Sequence, residues 1–171
     1  MPSTFTQTSS ASDAAFRWAL SFASGYFELG MLGWAEHELD VLPPACQDRE
    51  EVMALRCRLL MARRRWPQVV AQTRRALRLF PAAAEFYVHA ATAHDMLGQP
   101  AEARDVWQKA PRALRSSGFF HLNVARFEAQ LGNIDSAQDH LVSALQIDPS
   151  LRALAGHDPK LAALVAKLGL N

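Results

Sequence analysis

The sequence repeats itself every 34 residues, and no other feature narrows the possible folds as far. The stretch 131–149, LGNIDSAQDHLVSALQIDP, shows the pattern most plainly. Gly132 supplies a turn between two helices. Ala137, Leu141 and Ala144 share one face of the second helix, at spacings of four and three, and Asp148-Pro149 stops it. Moved back in steps of 34, Gly132 falls on Gly98, Arg64 and Gly30. Ala137 falls on Ala103, Val69 and Ala35, and Ala144 on Ala110, Ala76 and Leu42. Four helical hairpins follow, and Ala23, Cys57, Ala91 and Ala125 are small residues in the same 34-residue phase. Small residues here let two helix axes approach near the short end of the usual ~8–10 Å range. One hairpin cannot bury both of its apolar faces, so stability has to come from stacking neighbours.

This pattern resembles the tetratricopeptide repeat family, whose unit is a 34-residue helix–turn–helix; in that family's numbering the four units start at Phe16, Glu50, Ala84 and Gly118, with Ala23, Cys57, Ala91 and Ala125 at the eighth position. The small residues quoted above are those the family wants, and Pro81 and Pro149 match its closing proline, where Gln47 and Arg115 depart from it. The large residue of the first helix is only partly kept: Tyr26, Leu60, His94 and Glu128. The resemblance covers Phe16 to Leu151 and implies an all-α, right-handed α-solenoid of four repeats. The expected organisation is a Ser/Thr-rich disordered tail over 1–12, repeats over 13–151, and a C-terminal capping helix over 152–171. Ser12 or Asp13 is expected to cap the first helix, Asp48 the third, and Ser116 or Ser117 the first helix of the fourth repeat. The last helix is expected to start at Asp158-Pro159 and run through Lys167.

Composition bounds the function. The 171 residues carry a net charge of +1, with half of them hydrophobic, as in ordinary globular domains. No run of 18 apolar residues could span a membrane, and the N-terminus lacks the basic start and apolar core of a secretory signal. Two isolated thiols, Cys46 and Cys57, suit a reducing cytoplasm. No phosphate loop, nucleophile elbow or paired catalytic carboxylate is present, so neither an enzyme nor a cofactor is expected. The six histidines show no ligand spacing, and no metal is expected.

In the resembling family the first helices line a concave groove that holds a partner protein. Carried over position by position, that groove gives Arg17, Leu20, Ser24 and Phe27, then Glu51, Arg58 and Met61, then His89, Thr92 and Asp95, then Phe119, Asn123 and Arg126. A subset of the family clamps chaperone C-terminal carboxylates with Lys, Arg and Asn at set positions. Leu20, Ser24, Leu55, Glu85 and His89 stand there instead, so that clamp is not expected.

Charge is unevenly placed. Eight arginines and no acid lie between Val52 and Phe80, among them Arg63, Arg64, Arg65, Arg74, Arg75 and Arg78. Eight acids against two arginines lie in 13–51. Either the two sets neutralise each other across the stack, or the arginines form a basic patch for an acidic partner surface. The patch has no interleaved aromatics, so nucleic acid is not expected.

The expected partner is therefore a protein: a peptide, an acidic surface or a filament. Size, repeat number and general appearance also resemble the tetratricopeptide proteins called bacterial kinesin light chains, which accompany bacterial tubulins. A co-chaperone or secretion chaperone is a further alternative. Trp18 has no preceding repeat to pack against: either the Ser/Thr-rich tail or a further turn covers it, or it marks an end contact with a partner or, by self-association, a second copy.

Overall fold

A computed structural model describes the backbone of residues 5–169 and the side chains of 13–169. Among the described residues there are eleven α-helices, one 3₁₀ turn and no strand. They divide into two compact units, 1–76 and 77–171, with the division inside the fourth helix.

The first unit holds α1 (Phe5–Glu28), α2 (Leu32–Asp40), the 3₁₀ turn Pro44–Cys46, α3 (Glu50–Ala62) and most of α4 (Trp66–Leu79). Its core is built from the residues the repeat phase marks. Ala23 and Ala35 are fully buried where α1 meets α2, with Phe16, Leu39, Leu42, Val52, Leu55 and Leu59 around them. Gln47 stands where the family has proline, and its side chain donates to the carbonyls of Leu39 at 3.0 Å and Leu42 at 2.9 Å. It thus satisfies carbonyls that the end of α2 leaves open.

The second unit holds α5 (Ala84–Met96), α6 (Pro100–Gln108), α7 (Arg112–Arg115), α8 (Gly118–Gln130), α9 (Ile134–Ile147), α10 (Leu151–His157) and α11 (Ala162–Lys167). Ala91, Ala103, Trp107, Phe120, Val124 and Phe127 form one cluster. Ala125, Ala137, Leu141 and Ala144 form another, closed by Ala155, Leu161, Leu164 and Val165. Glu128 is buried at a position where the family has an aromatic residue. It is tolerated there because Asn133 donates to it at 2.6 Å and Arg104 approaches to 3.5 Å.

Several sequence expectations are corrected. Helix α1 begins at Phe5, so 5–12 continue a helix rather than form a tail, and residues 1–4 lie outside the described residues. Residue Arg49, not Asp48, precedes α3, and no side chain caps it; Asp48 instead takes the guanidinium of Arg75 at 2.7 Å. Ser117 does cap α8, accepting from the Phe120 amide at 3.1 Å. The C-terminal segment is two helices, α10 and α11, not one, because Asp158-Pro159 interrupts them.

The turns between paired helices need a left-handed residue. Gly30, Gly98 and Gly132 supply it at φ +72, +71 and +79°, but Arg64 adopts φ 54°. A side chain in this region costs roughly 1–2 kcal/mol. Arg64→Gly is therefore expected to stabilise the chain by about 1 kcal/mol, read as a higher denaturant midpoint at unchanged slope.

Candidate protein-binding surface

In the first unit, five arginines in and around the third and fourth helices are already claimed. Arg49 donates to Asp13 at 3.0 Å and Arg56 to Asp40 at 2.8 Å; Arg63 pairs with Glu36, which Arg65 also approaches at 3.6 Å. With Arg75 on Asp48, four arginines of the second repeat pair with acids of the first. The basic patch read from the sequence is therefore smaller than it looks. Arg64 and Arg74 are exposed and have no ion pair among the described residues. Exposed pairs of this kind contribute only ~0–1 kcal/mol each.

The first-helix positions of this unit are partly open to solvent. The guanidinium of Arg58 lies 4.6 Å above the ring of Phe27. Leu20, Ser24, Phe27 and Met61 are half-buried, while Arg17, Glu51 and Arg58 are exposed. An apolar floor with charged edges can hold an extended segment through burial and salt bridges together.

The second unit treats its equivalent positions differently. His89 is buried beside Glu85, at 3.6 Å. Thr92 is half-buried. Asn123 is buried and donates to the carbonyl of Phe119 in its own helix at 2.8 Å. Phe119 is partly exposed and edges onto Trp107. Asp95 and Arg126 meet in one cluster. The Asp95 carboxylate accepts from Lys160 at 2.7 Å and from Gln130 at 3.0 Å, with Arg126 at 3.4 Å. Arg126 also faces Asp158 at 3.8 Å. A hollow of about 370 Å³ opens beside them, with Met96, Leu154 and His157 on its wall. Burial opposes ionisation of Asp95, but the hydrogen bonds from Lys160 and Gln130 and the charge of Arg126 outweigh it and hold its carboxyl below the usual range. The chain's own residues 158–160 thus occupy this face. Lys160 lies 65 positions from Asp95 and outside the repeat, so no periodic signal pointed to it.

Two histidines that looked scattered in the sequence meet here: His121 Nδ1 and His140 Nδ1 are 3.0 Å apart. Burial and the neighbouring imidazole together lower the pKa of His121. A depressed histidine stabilises the fold above its unfolded value of about 6.5, and that contribution is lost as pH falls below it, because the unfolded chain binds the proton more readily. Thermal midpoints measured from pH 7.5 downward are expected to fall through this window. His140→Gln, which removes the neighbouring imidazole but leaves the burial of His121, should lessen that fall.

Among the described residues no group of three or more His, Cys, Asp or Glu could hold a metal ion, and no helix is long and apolar enough to cross a membrane.

The architecture is that of an all-α helical-repeat protein of tetratricopeptide type. Among solved structures, the chain is similar to MamA MSR-1 C2, with a TM-score of 0.67 and 20% identity over 77% of this chain and 76% of that one. It is also similar to TTC0263, a thermophilic TPR protein in Thermus thermophilus, with a TM-score of 0.62 and 17% identity over 90% of this chain and 80% of that one. At these identities the likeness establishes the fold. No family model matches the chain, and no curated protein matches it.

Proposed function

We propose that this protein is a non-catalytic adaptor that holds a partner protein on the first-helix strip of its first unit. The observation that carries the reading is the contrast between the two units. In the second, Asp158 and Lys160 already fill the polar positions, whereas in the first Arg17 and Arg58 are exposed and Leu20, Phe27 and Met61 are half-buried. Arg64 and Arg74 supply unpaired guanidinium groups on the same unit. The partner's chemistry follows: an extended or surface segment with carboxylates for arginine and an apolar side chain or two for the Leu20–Phe27–Met61 floor. A pull-down from native extract with the full chain tests this. Arg58→Glu with Arg64→Glu is expected to lose the captured protein at unchanged thermal stability. Capture that persists in this variant would overturn the reading.

The unpaired arginines also support a second role, as an accessory protein on a filament such as a bacterial tubulin. Co-sedimentation with such a polymer should then weaken as salt rises and fail when Arg64 and Arg74 are reversed in charge. Co-sedimentation unaffected by either change would dismiss it.

A further inference from the structure

The third position of each repeat is covered wherever a preceding second helix is available within the same unit. Val52 is fully buried in one cluster with Leu39 of α2. Phe120 stacks on Trp107 of α6 with ring centroids 6.1 Å apart and planes 8° apart. The residue at the same position of the first repeat, Trp18, is 67% exposed. It stacks on Phe22, itself 54% exposed, at 6.1 Å. Leu29 is 74% exposed. Spacings of four and eleven put Trp18, Phe22 and Leu29 on one narrow stripe of α1. Tyr26, one turn beyond Phe22, brings in Trp34 at 6.2 Å, which is 57% exposed. Beside the stripe, Ala15, Ala19, Val41, Leu42 and Pro43 line an apolar hollow of about 230 Å³.

We propose that this aromatic edge is the interface of a two-fold symmetric dimer of the chain. An open aromatic side chain offers about 150–250 Å². At the exposures above, Trp18, Phe22 and Trp34 together leave about 400 Å² of apolar surface, and Leu29 and Val41 add roughly 200 Å². Two copies face to face would bury about 1,200 Å², above the ~1,000 Å² that a specific interface needs. The stripe carries no ionised side chain between Trp18, Phe22 and Leu29, so like meets like without burying a charge.

The occupant is a second copy meeting the same edge rather than one in head-to-tail order. Head-to-tail stacking would require the free second-helix face of a last repeat. In this chain that face is closed: Leu141 of α9, the counterpart of Trp107, is fully buried among Ala155, Leu161, Leu164 and Val165. An isologous contact is the closed arrangement that remains.

Sedimentation equilibrium of the full chain from about 1 to 200 µM tests the proposal. The expected result is a reversible rise from 18.9 kDa to twice that mass with no larger species. Trp18→Glu and Phe22→Glu, both at exposed positions, are expected to remain monomeric at every concentration with unchanged helicity. Leu154→Glu, at an exposed position of the other unit, should dimerise as the parent does. A monomer throughout, a dimer unaffected by Trp18→Glu and Phe22→Glu, or masses that keep rising beyond two copies would each overturn the proposal.

Discussion

Trp107→Ala is expected to cost about 3–5 kcal/mol, the range for truncating a large buried aromatic. The indole is 2% exposed. It stacks on Phe120, meets the edge of Phe119 at 5.9 Å, and donates its Nε1–H to the Phe120 carbonyl at 3.2 Å. Removing it leaves a void between α6 and α8 and strips that carbonyl of its side-chain partner. Chemical denaturation would show the loss as a lower midpoint. Trp107→Phe separates the two causes, since it keeps most of the stacking and loses the hydrogen bond, for about 1–2 kcal/mol.

Gly118→Ala is the second large effect, and its sign runs against helix propensity. Alanine inside a helix is normally favoured over glycine by about 1 kcal/mol. At Gly118 an added Cβ would sit 2.9 Å from the Ala144 carbonyl oxygen and 3.0 Å from Asp148 Cβ and Leu151 Cδ1. The oxygen belongs to backbone and cannot move aside without shifting α9. A loss of about 1–3 kcal/mol is expected, as for other overpacked sites. Gly25 in α1 is the control, because its added Cβ meets nothing within 4 Å. Gly25→Ala should stabilise by up to about 1 kcal/mol. Thermal or denaturant midpoints moving in opposite directions for the two variants would bear this out.

The fold was legible because the repeat is a packing rule written in residue size. Ala35, Val69, Ala103 and Ala137, 34 residues apart, are all fully buried, as are Ala23, Cys57 and Ala125 at the other close approach. The site was less legible, for three physical reasons. Face position is set by helical spacing, but occupancy is not: Asp95 and Arg126 stand where the spacing puts them, yet Lys160 and Asp158 reach them from outside the repeat. Charge counting along the chain cannot say which arginines are already paired, and only the folded unit separates Arg63 and Arg75 from Arg64 and Arg74. Local capping chemistry is outcompeted by an ion pair, as at Asp48. The sequence marked Trp18 as lacking a preceding repeat but left open whether another segment covers it; the fold leaves it 67% exposed.

The first unit is expected to hold the partner, because the second unit's equivalent face is already filled by the chain itself. Hydrogen exchange on the protein alone and with its captured partner measures this most directly. Slowed exchange in 17–28 and 51–64, with no change in 89–95 and 119–130, is the predicted footprint. Protection concentrated in 89–95 and 119–130, with faster exchange in 156–162 as the chain's own segment is displaced, would contradict it.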